Sequence, residues 1–112
     1  MSDSRELAAR FARALHDGET DSAHAMLAVA VGQAVSGSEL SAEYSALADD
    51  MGGVTGIGEP MIILEDWPDK AADELAVVYV PLEGDVFSEA ITVTVARSDD
   101  GLLISNVEWG RP

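Results

Sequence analysis

The apolar residues change their period once along this chain, near residue 52, and that change constrains the fold more than any other feature. Before residue 52 they recur at the three- and four-residue steps of amphipathic helices, whereas after it they follow the period of β-strands. A helical half followed by a strand half predicts an α+β fold class, with the helices packed on one face of an antiparallel sheet. The length of 112 residues supports a single domain that spans residues 1–112.

The first half predicts three helices, at residues 4–16, 20–31 and 38–51. Gly18 ends the first helix, because glycine readily adopts the left-handed conformation that follows a helix. Thr20 or Asp21 caps the second helix and Ser38 caps the third, since their side-chain oxygens accept a backbone N–H of the first turn.

The second half predicts four strands, at residues 60–66, 74–82, 86–98 and 102–109. Short turn sequences separate the last three, which indicates an antiparallel meander. The second strand is apolar on both faces, although an antiparallel strand with one solvated face should alternate. Something is therefore expected to cover its outer face. A homodimer that packs sheet to sheet is the preferred explanation, and a central strand twisted under a helix is the other.

Charge limits the partners of the chain. Lys+Arg number 6 and Asp+Glu number 21, a formal net charge of −15. Such a body repels nucleic acid and anionic membrane surfaces. No apolar stretch approaches the ~20 residues of a membrane helix, and no signal-peptide pattern opens the sequence, so a cytoplasmic location is expected. The acidity fits either a basic protein partner or a salty environment, and the sequence does not choose between them.

The order of elements resembles a known superfamily. A helix ending in Leu15-His16-Asp17-Gly18-Glu19, an alanine-rich helix with Met26-Leu27, a serine-capped third helix, a glycine-rich crossing and long antiparallel strands are similar to the nuclear transport factor two-like domains. These are also called ketosteroid-isomerase-like or cystatin-like. The resemblance implies a cone-like fold in which three helices pack on a curved four-stranded sheet. It is strongest with small bacterial domains of unassigned activity, in a superfamily that holds isomerases, dehydratases, cyclases and non-enzymatic binding domains.

Catalysis in such a cone needs a carboxylate or histidine base inside an apolar pocket, with a donor for the developing oxyanion. Where ketosteroid isomerases carry a tyrosine, the first helix presents Phe11 and Leu15. The catalytic candidates are therefore Glu89 and Glu108, which their strand phase predicts to face the helices, and Tyr44 as a donor.

Four side chains are candidates for a pocket or an interface: Tyr44, Tyr79, Trp109 and His24. No metal site is expected, because cysteine is absent, no calcium-loop spacing occurs and the two histidines lie eight residues apart. No cofactor motif is present.

These features favour a small soluble binding or association domain, a sheet-face homodimer with a pocket for a small apolar ligand. One alternative is a small enzyme of the isomerase, cyclase or dehydratase type, with Glu89 or Glu108 as general base and Tyr44 or Tyr79 as donor. Another is an acidic immunity-type protein that neutralises a basic partner.

Overall fold

Helices precede strands in the computed structural model, which describes residues 3–99 and 101–110. The elements are α1 (Asp3–His16), α2 (Thr20–Ala25), α3 (Val29–Ala34), α4 (Gly37–Asp50), β1 (Val54–Ile57), β2 (Met61–Leu64), β3 (Glu74–Gly84), β4 (Glu89–Ser98) and β5 (Gly101–Trp109). The helices pack on a curved, unclosed antiparallel sheet, so the predicted α+β class is confirmed.

Strand β3 lies at the centre of the sheet. β4 pairs with one of its edges and β5 pairs with β4. β1 and β2 share the other edge, β1 beside Leu82–Gly84 and β2 beside Val77–Tyr79. The described chain thus has five strands where four were predicted. The extra strand, β1, lies in the glycine-rich crossing between the helices and the sheet, residues 52–58. Its four residues are too few to show the two-residue period of a strand.

The core fills the space between the helices and the sheet. Ile91, Val93 and Val95 of β4 stand opposite alternate residues of β3 on this face. Each of the following side chains is at most 2% exposed: Phe11, Leu40, Met51, Ala76, Val78, Val80, Leu82, Ile91, Val93 and Val95. Full burial of a large aliphatic or aromatic side chain stabilises a fold by roughly 1.5–3 kcal/mol, so this layer dominates stability.

The predicted second helix is broken in the structure, which corrects that prediction. Leu27 lies outside both helices and forms a parallel bridge with Ile104 of β5. The Ala28 N–H donates to the Ile104 carbonyl at 2.7 Å, and the Ile104 N–H donates to the Met26 carbonyl at 2.8 Å. These long-range bonds separate α2 from α3. The spacing of the apolar residues fits two short helices as well as one, so the sequence pattern does not reveal the break.

The cap of α4 is Ser36, so the prediction that Ser38 caps this helix is wrong. The Ser36 hydroxyl oxygen accepts the Glu39 N–H at 3.1 Å, and the Glu39 carboxylate accepts the Ser36 N–H at 3.1 Å. This reciprocal pair is a capping box, which satisfies two backbone donors. Ser38 lies inside the first turn and is exposed.

The third predicted strand begins later than expected. β4 starts at Glu89, and the preceding Val86 and Phe87 lie exposed in the turn after β3. The Val86 N–H donates to the Met51 carbonyl at 2.8 Å, so this turn is attached to the end of α4. Within the described residues, no helix has the length and apolarity needed to cross a bilayer.

Replacing each serine with alanine in turn tests whether Ser36, the observed cap, or Ser38, the predicted one, stabilises the start of α4. Ser36→Ala should lower the free energy of unfolding by about 1 kcal/mol, because it removes the acceptor of the capping box. Ser38→Ala should change it by only a few tenths, since alanine is the better helix former. Urea denaturation followed by circular dichroism measures both. An equal loss in the two variants would contradict the assignment of Ser36.

Candidate functional site

The face of the sheet turned away from the helices, here called the outer face, carries two rows of side chains that cross four strands. Partners in an antiparallel sheet point to the same face, so the register defines each row. The first row is Met61, Tyr79, Thr92 and Glu108, and the second is Leu64, Val77, Thr94 and Asn106. Both rows run from large nonpolar or aromatic side chains on β2 and β3 to polar ones on β4 and β5.

A groove of about 510 Å³, here called the outer groove, lies over the second row and over Thr92 and Glu108 of the first. One side is mainly apolar and comprises Ile63, Leu64, Trp67, Pro68 and Val77. The other side is polar and comprises Glu74, Thr92, Thr94, Ser105, Asn106 and Glu108. Small-molecule sites commonly have volumes of about 300–1,000 Å³ and join apolar walls to a few polar groups, so the groove has the size and chemistry of such a site.

The connection between β2 and β3 forms the apolar rim. The Lys70 N–H donates to the Trp67 carbonyl at 3.2 Å, and Asp69 has φ of 66°, which together with Pro68 is the pattern of a type II turn. The Lys70 ammonium donates to the Glu65 carbonyl at 2.9 Å and lies 5.5 Å from the Trp67 ring centroid. These contacts hold Trp67 at the groove, so a segment of the chain itself covers part of the outer face.

A β-bulge in β5 places the polar side. Thr94 pairs with Asn106 and Val95 pairs with Ile104, which leaves Ser105 as an extra residue. The extra residue reverses the alternation of β5, so Ile104 faces the core while Glu108 lines the outer groove. The prediction that Glu108 faces the helices is therefore wrong. The change of phase is visible in the sequence, where apolar residues stand at 102 and 104 and then at 107 and 109.

Glu74 and Ser105 connect the rim to the sheet. One oxygen of the Glu74 carboxylate accepts the Ala71 N–H at 2.7 Å. The Ser105 hydroxyl lies 3.4 Å from the other oxygen of Glu74 and 3.4 Å from the Thr94 carbonyl. The Glu74 carboxylate therefore already has partners on both the rim and β5.

Thr92 is the unusual residue of the groove. It is 3% exposed, and its hydroxyl oxygen has no hydrogen-bond partner among the described residues. Leaving a buried polar group unsatisfied costs about 1–3 kcal/mol, so nearly all such groups in folded proteins have a partner. Thr92 lies in the first row between Tyr79 and Glu108, which places this hydroxyl on the outer face.

Tyr44 lies far from this groove, in the contact between α1 and α4. Its hydroxyl shares a hydrogen bond of 2.9 Å with Nδ1 of His16, and the two rings meet edge to face. Burial raises the pKa of Tyr44, and the nearby carboxylate of Asp17 raises the pKa further. Because Tyr44 is on the helical side of the sheet, the structure does not bring it together with Glu108.

The other candidates from the sequence are also dispersed. Nε2 of His24 lies 3.0 Å from the Gly32 carbonyl and 2.8 Å from the Val35 carbonyl, so this nitrogen carries a proton and joins α2 to the end of α3. Trp109 packs against the core, and Glu89 pairs with Leu82 at the start of β4. Tyr79 is half-buried in the first row. Within residues 3–99 and 101–110, no group of three histidine or carboxylate side chains is placed to hold a metal ion.

No protein-family model, curated protein or solved structure matches this chain. The resemblance to nuclear transport factor two-like domains therefore stays a prediction. The outer groove lies on the opposite side of the sheet from the filled space beneath the helices.

The raised pKa of Tyr44 predicts how stability depends on alkaline pH. The folded protein holds this proton more tightly than the unfolded chain, whose tyrosine has a pKa near 10.0. The corresponding stability is complete below pH 10 and is lost as the pH rises through the raised pKa. Between pH 9 and 11.5 the free energy of unfolding should therefore fall further in the native protein than in Tyr44→Phe.

Urea denaturation across that range makes the measurement, and Tyr79→Phe is the matched control. Because Tyr79→Phe leaves Tyr44 in place, it should retain the loss attributable to Tyr44. The same alkaline loss in Tyr44→Phe as in the native protein would contradict the assignment.

Proposed function

We propose that this chain is a binding domain that holds a small, partly apolar molecule in the outer groove. The observation that carries the proposal is the unpartnered hydroxyl of Thr92 in a groove with one apolar and one polar side. A ligand with a hydrogen-bonding group satisfies that hydroxyl and recovers the free energy that its burial costs the unliganded fold.

The apolar side supplies affinity without specificity. Ile63 and Leu64 are 39% and 45% exposed, and Trp67 stands beside them. Burial of apolar surface contributes about 25 cal/mol per Å², so a ligand that covers ~50 Å² of this side gains roughly 1.3 kcal/mol from it. The polar side then determines how the ligand is oriented.

The positions of the candidate catalytic groups favour binding over turnover. Of Glu89, Glu108 and Tyr44, only Glu108 lines the outer groove. Tyr79 shares a row with Glu108, but the two stand on strands separated by β4, or roughly 10 Å at the usual strand spacing. Tyr79 also does not line the groove. A carboxylate base and a tyrosine donor therefore do not converge on one substrate position.

Thr92→Val tests the proposal because it separates stability from binding. Valine fills nearly the same volume without the unsatisfied hydroxyl, so the unliganded variant should gain about 1 kcal/mol of unfolding free energy. Its affinity for 4-phenylbutanol, an alcohol with an apolar body, should fall about tenfold, the loss of one hydrogen bond of roughly 1.4 kcal/mol.

Nuclear magnetic resonance can follow this titration through the indole N–H of Trp67, while Trp109, packed on the core, is an internal control. Thr94→Val, on the same strand and in the same groove, is the matched variant and should lack the gain in stability. The proposal is wrong if the alcohol shifts Trp109 as much as Trp67, or if Thr92→Val leaves both stability and affinity unchanged.

We propose self-association through β2 as a second function. Met61 is 49% exposed on this strand, next to the exposed Ile63 and Leu64, and β2 pairs with β3 alone among the described strands. An apolar strand with one free edge favours pairing with a second copy of the chain. Packing of the whole outer face against itself is less favourable, because Glu74 and Glu108 of both copies would approach.

Sedimentation equilibrium should then give a mass that rises with concentration toward twice the 11.7 kDa of one chain. Met61→Glu should return the protein to a monomer, because it places a charge on the apolar strand. Val29→Glu, an equivalent change at an exposed valine of α3, should leave the association intact. A native protein that stays monomeric at micromolar concentrations would exclude this second function.

A further inference from the structure

We propose that the ligand of the outer groove is an organic cation, an amine joined to an apolar body. This inference rests on the binding function proposed above and adds the charge of the ligand to it. It is carried by the free carboxylate of Glu108 beside the unpartnered hydroxyl of Thr92.

The lining of the groove has one sign of charge. Glu74 and Glu108 are its charged residues, and none of its lining residues is a lysine, arginine or histidine. The whole chain adds a formal net charge of −15. Both the local and the long-range electrostatic potential therefore attract a cation and repel a carboxylate or phosphate.

The two carboxylates differ in what they already bind. Glu74 accepts the Ala71 N–H and lies near the Ser105 hydroxyl. Glu108 is exposed and forms no hydrogen bond or ion pair with the described residues. Glu108 is therefore available to pair with a cation, whereas Glu74 maintains the rim.

Glu108 and Thr92 are direct partners across β4 and β5. Side chains in such pairs have Cβ atoms about 4.5–5.5 Å apart, so one small group can contact both. A primary ammonium has three N–H donors, of which one can bind the carboxylate and another the hydroxyl oxygen. Hydrogen bonds between ionised groups are stronger than neutral ones, which favours an ammonium over an alcohol at this position.

The apolar body of the ligand then lies toward β2 and the rim. Glu108 and Leu64 stand on strands three spacings apart, roughly 14 Å at the usual separation. A ligand about 10 Å long therefore reaches from the carboxylate to the side of the groove formed by Val77 and Trp67. The size of the groove accommodates a molecule of this length.

Lys70 is a positive charge that the ligand must approach. Its ammonium lies 5.5 Å from the Trp67 ring centroid and is fixed by the Glu65 carbonyl. The negative face of the Trp67 ring attracts this ammonium, so the rim already holds a cation, and the ligand's own ammonium binds at Glu108. Because Lys70 also holds Trp67 at the groove, replacing it would change the rim as well as the charge, so the test is made at Glu108.

Three probes that differ in their end group test the inference: 4-phenylbutylamine, 4-phenylbutanol and 5-phenylpentanoate. At low ionic strength the amine should bind the native protein about tenfold more tightly than the alcohol, and the carboxylate should bind most weakly. Glu108→Gln should reduce affinity for the amine about tenfold without changing affinity for the alcohol.

Glu43→Gln is the matched control, because it removes one exposed carboxylate from α4 and leaves the groove intact. It should change none of the three affinities beyond a small effect of net charge. Urea denaturation of each variant verifies that it is folded.

The outcomes separate this inference from the function on which it rests. If the alcohol binds at Trp67 as tightly as the amine, or if the carboxylate binds best, the inference of a cation is overturned while the binding function stands. If Glu43→Gln weakens amine binding as much as Glu108→Gln does, the specific pairing is overturned. If no probe shifts the Trp67 resonance, the proposed function is overturned as well.

Discussion

The pairing of β3 with β4 is the interaction on which the rest of the structure depends. Its register places Val78 opposite Val93 on the face that the helices cover, and Tyr79 opposite Thr92 on the outer face. A slip of one residue would exchange the two faces, burying threonines under the helices and exposing valines to water. The free energy that the core gains from this register therefore also holds the floor of the outer groove in place.

Local periodicity explains what the sequence predicts well, namely the α+β class and the order of helices and strands. The errors arise where distant parts of the chain decide the outcome. Leu27 leaves the helical path because β5 offers it backbone hydrogen bonds, and the crossing segment becomes β1 because the end of β3 pairs with it. The cap at Ser36 is predictable from the sequence, because a serine followed three residues later by a glutamate, here Glu39, is the signature of a capping box.

The outer groove was harder to predict than the fold. Glu108 is evident in the sequence as a carboxylate within a strand, although its phase predicts the opposite face of the sheet. Threonine is an ordinary strand residue, so the sequence does not single out Thr92. Its significance appears only when pairing places it beside Glu108 with no partner for its hydroxyl. Trp67 follows β2 in a turn sequence, and its part in the groove depends on how Lys70 and Glu65 hold that turn.

The acidity of the chain and the chemistry of the groove have one physical explanation if the ligand is a cation. A formal net charge of −15 destabilises the compact state through self-repulsion, and the unsatisfied Thr92 hydroxyl adds to that cost. The filled core on the opposite face of the sheet can offset both. The long-range field of the other carboxylates is screened within about 3 Å at 1 M salt, whereas direct contact between Glu108 and an ammonium is screened much less. A salt titration of amine binding therefore separates two contributions to the binding free energy. The part lost at high salt comes from the long-range field of the surface carboxylates, and the part that remains comes from direct contact with Glu108 and Thr92.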